Sequence, residues 1–133
     1  MGGQILSKEQ ILAVQDLRQE DVHVPEWGGS VRVRTLSGKE RADFERSVLV
    51  IRGDKYTVNP KLMREKLVAA SVIGDDGKRL FSEEDVAALS LKSSSAIEKV
   101  FRVAQRLSGI GEGDIKEIEA DLGQAQDGDS ASV

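Results

Sequence analysis

Residues 22–44, VHVPEWGGSVRVRTLSGKERADF, place a strand pattern, a turn and a helix start in direct succession. Val22 and Val24, then Val31 and Val33, repeat with the period of two that marks a half-buried strand. Between them, Gly28-Gly29 can hold the positive φ angles of a primed hairpin turn. Closing the loop there predicts the pairs Trp27–Ser30, Val24–Val33 and Val22–Thr35. One face then carries the four valines, with Glu26 near the turn. The other carries His23, Pro25, Trp27, Arg32 and Arg34. The valine face is expected to pack on the core. Pro25 has no N–H to donate, which predicts an edge strand or irregular pairing at that point.

The second strand runs into Ser37 and Glu40, whose spacing is that of a capping box closing the free donors of a helix start. The helix is predicted to reach about Val50, with Phe44, Val48 and Ile51 on one face. Lys39, Arg41, Asp43, Glu45, Arg46 and Arg52 make its other face a solvated one. Trp27 has two readings. As a core plug it would remove about 150–250 Å² from water, a gross gain of several kcal/mol at about 25 cal/mol per Å². As a partner-facing anchor it would stack on Arg32 beside the two glycines.

A chain of 133 residues is long enough for one domain burying roughly two-thirds of its unfolded surface. Aromatic residues are only 4%, so the core must be built from Val, Leu, Ile and Ala. There is no cysteine, which excludes disulfides, thiolate zinc sites and cysteine nucleophiles, and suits a cytosolic protein. No apolar run approaches the length of a membrane span, and the N-terminus shows no signal-peptide pattern. The net charge of −4 is uneven: residues 111–133 carry seven acids and one base, which leaves +2 on the preceding residues. A near-neutral body with an acidic tail lacks the basic field of a nucleic-acid binder.

The pattern divides into one α+β domain over residues 1–110 and an acidic, largely disordered tail over 111–133. The domain is mostly helical, with an N-terminal β-hairpin and a possible second short hairpin. After a frayed start, Ser7 to Gln10 form a second capping box, opening a short helix with Ile11, Leu12 and Val14; a polar linker, Asp16 to Asp21, follows. Arg52-Gly53-Asp54 reads as a helix C-cap with Gly53 left-handed, not as an integrin-binding triplet. Tyr56-Thr57-Val58 is a short extended piece. Asn59-Pro60 reads as N-cap and first residue of a helix carrying Leu62, Met63, Leu67 and Ala70. Ser71 to Ile73 and Arg79 to Phe81 flank a turn at Gly74-Asp75-Asp76-Gly77, the second hairpin or tight reversal. Its aspartates lack the alternating frame of a calcium loop. Ser82 to Asp85 start a helix ending near Leu91. Ala96 to Ser108 form the clearest helix, with Ile97, Val100, Phe101, Ala104 and Leu107 on one stripe, Glu98 four residues before Arg102, and Gly109 as C-cap. Beyond Asp114, Ile115, Ile118 and Leu122 allow one weak amphipathic helix.

No catalytic constellation accompanies these elements. His23, the one histidine, lies between valines in a strand, without a serine or carboxylate at catalytic spacing. No phosphate-binding glycine loop occurs. The residues describe a non-catalytic, protein-binding domain with no metal site and no cofactor.

Ile11-Leu12-Ala13 with Asp16-Leu17, Val24 to Gly29, Val31 to Arg34, Leu36-Ser37-Gly38 and Glu40-Arg41 form a pattern. So do Leu80-Phe81, Asp85-Val86 with Leu89, and Leu107-Ser108-Gly109. Together, over about residues 5–110, they resemble the tail-assembly chaperones of long-tailed, non-contractile phages. The Pro-Glu-Trp-Gly-Gly block is the most specific part. The resemblance implies a protein that binds the tape-measure protein, keeps it soluble and helps recruit tail-tube protein around it. It also implies self-association, action in the host cytoplasm, absence from the mature virion, and a longer frameshifted product of which this chain would be the shorter form. Neither nucleic acid nor membrane is an expected partner. The candidate contact residues are Pro25, Glu26, Trp27, Gly28, Gly29 and Arg32 at the hairpin. Val100, Phe101 and Leu107 join them if their stripe is partly exposed. The alternatives are a tail-completion or head–tail connector protein, and a small nucleic-acid-binding regulator using Arg32, Arg34, Lys99, Arg102 and Arg106.

Overall fold

The valine strands form the middle of the fold. In the computed structural model, which describes residues 3–59 and 61–110, β1 (Gln19–Val24) and β2 (Gly29–Arg34) pair antiparallel. Val22 faces Val31 and Val24 faces Gly29, so each partner lies four residues from the predicted register. The cause is Pro25. Without an N–H it cannot extend the ladder, and it instead opens a 3-10 turn, Pro25–Trp27, closed by Gly28 at φ 74°. The Gly28 N–H donates to the Pro25 carbonyl at 3.0 Å. Because the displacement is an even number of residues, the side-chain faces are unchanged. Val22, Val24 and Val33 are buried as expected, and Val31 is half-buried. The polar linker is shorter than expected, since β1 begins at Gln19.

A third strand, β5 (Val72–Ile73), joins β2 through Arg32–Ile73 and Val33–Val72, giving the order β1-β2-β5 with β1 at an edge. The tight reversal at 73–79 is also present. Ile73 bridges Arg79, the Leu80 N–H donates to the Val72 carbonyl at 3.0 Å, and Gly77 is left-handed.

Four helices follow the N-terminal α1 (Lys8–Ala13): α2 (Gly38–Ser47), α3 (Met63–Ser71), α4 (Val86–Leu89) and α5 (Ser94–Leu107). The Ser7/Gln10 and Ser37/Glu40 capping boxes are both formed. Helix α2 stops at Ser47, short of the predicted Val50. The next residues instead form a hairpin, β3 (Leu49–Arg52) with β4 (Lys55–Val58). Its two-residue turn begins at Gly53, φ 67°, so that glycine serves the hairpin and not a helix end. The run Val48-Leu49-Val50-Ile51 is rich in branched residues that favour strands over helices.

Helix α3 also starts later than predicted. Asn59 Oδ1 accepts the Lys61 N–H at 3.0 Å and so caps a turn, while Leu62, at φ 63°, takes the N-cap position. A short 3-10 turn, Glu83–Asp85, leads into α4, and Ser93 caps α5 through the Ala96 N–H. One core joins these parts: the sheet valines, Phe44 and Val48 after it, Leu67 and Val68 of α3, and Ile97, Val100 and Ala104 of α5. The chain is an α+β domain with an N-terminal hairpin. The weak helix expected around Ile115 to Leu122, and the acidic tail, lie outside the described residues.

Candidate partner-binding surfaces

The hairpin end presents Pro25, Glu26, Gly28 and Gly29 to solvent, while Trp27 is half-buried with one part on the core. The core-plug reading of Trp27 thus holds for part of the side chain, and the rest is open to solvent. Glu26 fastens this turn to the start of α5. Its Oε2 accepts the Ser95 hydroxyl at 2.8 Å, and Lys99 Nζ stands 3.6 Å from Oε1. The serine bond, with the adjoining backbone donor and the lysine, lowers the Glu26 pKa below the usual carboxylate range. The turn that carries the half-buried Trp27 is thus tied to α5.

Arg32, expected beside Trp27, is held by Asp21 directly across the ladder. Nε donates at 2.7 Å and a second nitrogen at 3.2 Å. That bidentate contact lowers the Asp21 pKa and raises that of Arg32. Among the described residues, the guanidinium that does lie over an aromatic ring is that of Arg64, 5.6 Å from the Phe101 centroid.

The α5 stripe faces inward. Val100 and Phe101 are buried and Leu107 is half-buried, so in this conformation the first two pack the core. The end of α5 is sewn to the strand–helix corner. Thr35 Oγ1 donates to the Leu107 carbonyl at 3.1 Å, and the Leu36 N–H donates to Ser108 Oγ at 2.9 Å.

All five basic side chains that pointed toward nucleic acid have acidic partners. Arg32 pairs with Asp21, Arg34 with Glu40, Lys99 with Glu26, Arg102 with Glu98 and Arg106 with Glu20. The strand and helix therefore present alternating charge and not a basic stripe. His23 is exposed, opposite Ser30. Among the described residues there is no cluster of acidic and histidine side chains suited to a metal, and no helix long and apolar enough to cross a membrane.

Two further surfaces did not emerge from the residue pattern. One is a groove of about 630 Å³ bounded by α2, α3 and the segment entering α4. Phe44, Leu62, Ala70, Val86 and Ala87 line it together with charged side chains, among them Asp43, Lys66, Arg79 and Glu83. The other is the N-terminal arm, where α1 buries none of its residues. The sequence shows the arm's apolar residues but not that the body leaves them uncovered. The groove's walls come from segments far apart in the chain.

The sequence profile described as phage tail assembly chaperone matches residues 8–122. The chain belongs to the phage tail assembly chaperone family. The match takes in α1 and extends past Ile110 into the acidic stretch. A solved structure described as the bacteriophage HK97 tail assembly chaperone is similar in fold, with a TM-score of 0.51 and 18% identity. The alignment covers 74% of this chain and 90% of that one. No curated protein sequence matches the chain. Membership of the tail assembly chaperone family points to a non-enzymatic role and to tail proteins, in general, as partners.

Proposed function

We infer that the protein binds the tape-measure protein of a phage tail, keeps it soluble, and helps to bring tail-tube subunits to it. The family match over residues 8–122 carries this reading. A long client of repeated helical character needs many modest apolar contacts, not one deep pocket. The half-buried Trp27 on a rigid turn offers one such contact, with Pro25, Gly28 and Gly29 around it. Self-association would multiply it along the client. The place of action is the host cytoplasm, before the tail is complete, and the chaperone is absent from the mature virion.

The test is co-expression with the tape-measure protein encoded nearby in the same genome. The expected result is a client that is soluble only with this chain and co-purifies with several copies of it. A client equally insoluble in both cases, with no complex, rejects the reading. Recovery of the chain from purified virions would instead favour a tail-completion or connector role.

A further inference from the structure

The groove between α2, α3 and the start of α4 has two ends that can be told apart. Arg34 donates to both Glu40 and the Gly77 carbonyl, which sets the 73–79 reversal, and Arg79 with it, beside the start of α2. Arg79 Nε donates to the Ala69 carbonyl at the end of α3. At the other end Lys66 Nζ donates to the Ser47 carbonyl, where α2 finishes, and Leu62 stands at the head of α3. Neither Lys66 nor Arg79 forms an ion pair with a described carboxylate. Each end thus offers a cation beside apolar lining.

The chain leaves the body close to the Arg79 end. Ser108 Oγ accepts the Leu36 N–H, two residues before α2 begins, and Ile110 is buried, with its N–H donating to the Gln105 carbonyl. Four residues, Gly111 to Asp114, then span up to about 13 Å when extended. In the sequence that follows, Ile115, Ile118 and Leu122 fall on one helical stripe, and Asp114, Glu119 and Asp121 fall beside it. The family match runs through this stretch and ends at Leu122, its last apolar residue. The stretch therefore shares the pattern of the domain, unlike residues 123–133. Glu40 to Ser47 along the groove and Ile115 to Leu122 cover the same number of residues, about 10 Å each by the α-helical rise.

We propose that residues 114–122 dock as a short amphipathic helix in the groove of their own chain. Ile115, Ile118 and Leu122 lie against Phe44, Ala70, Val86 and Leu62. Asp114 meets Arg79 near the point of exit, and Glu119 and Asp121 reach toward Lys66 at the far end. Neither half suffices alone: a helix of this length is marginal in water without an apolar face to bury, and the groove is an apolar surface without a cover. The proposal depends neither on the client nor on contact between copies.

The chain has no cysteine, so introduced thiols report on it directly. The experiment is disulfide formation in two double variants of the full chain at high dilution, followed on non-reducing gels. Ala87→Cys with Ile118→Cys places one thiol in the groove and one in the segment. His23→Cys with Ile118→Cys is the comparison, since His23 is exposed on the sheet face turned away from the core. Ala87 is exposed as well, and cysteine keeps a small apolar side chain at position 118. The groove pair is expected to close within single chains at least about tenfold faster than the comparison pair, because docking raises the local thiol concentration. Adding Leu122→Glu to the groove pair is expected to erase that advantage. Equal rates in the two pairs overturn the proposal, and so does an advantage that survives Leu122→Glu. Disulfide-linked pairs of chains in place of closed single chains overturn docking within one chain.

Discussion

Glu26 links the geometry of a turn to a measurable titration. Its carboxylate is held by Ser95 and, more weakly, by Lys99, and its pKa is lowered. A lowered folded-state pKa means the contact stabilises the protein above the ordinary glutamate value of 4.5 and is lost as pH falls through the folded value. Glu26→Gln should therefore melt below wild type at neutral pH, and the gap should close in acid. The gap will be small, because the group faces water. A gap that widened in acid would show the sign to be wrong. Trp27 tests the same turn through packing. Truncating a half-buried ring, Trp27→Ala, is expected to cost about 1–3 kcal/mol in chemical denaturation, below the range for a fully buried one. On the proposed function it also abolishes co-purification with the client. Lower stability with client binding intact would make this side chain a plug alone.

The two capping boxes have the same chemistry but different surroundings. Ser37→Ala removes a cap from α2, which contributes Phe44 to the core, and should cost about 1 kcal/mol in global unfolding. Ser7→Ala removes the same bond from α1, which buries nothing, so the unfolding midpoint of a dilute sample should not move. Equal losses in thermal melts would mean that α1 is packed in solution. These caps were legible because they depend on residues three apart. The α5 stripe was legible from its helical period and Gly109. The β3–β4 hairpin was not: Phe44, Val48 and Ile51 fit a helical face as well as the branched run 48–51 fits a strand, and only long-range placement decides. The hairpin register was missed for a related reason, since the Gly28-Gly29 pair competes with a proline-led turn that uses just one of those glycines at positive φ. At the site, Trp27 could be singled out from the sequence. The Glu26–Ser95 and Glu20–Arg106 contacts span 69 and 86 residues and leave no local trace.

Over the whole molecule, one core joins the sheet to α3 and α5, while the arm stands outside it with its apolar residues in water. Charge does not hold such an arm away from other molecules, because both it and the groove rim carry mixed signs. On the self-association of the proposed function, burying such apolar surface between copies would remove it from water without rebuilding the core. On that reading assembly would add to the stability of the folded state by mass action, and the melting temperature is expected to rise with protein concentration. Each tenfold rise well above the dissociation constant is worth about 1.4 kcal/mol. The expected outcome is a midpoint that climbs with concentration for wild type and stays flat for Leu12→Glu, the two curves meeting at high dilution. Meeting there is the decisive part, because it separates a lost contact between copies from a damaged fold. Curves that stay apart at every concentration would place Leu12 inside the core of its own chain, and the arm would then be a structural element rather than a docking one.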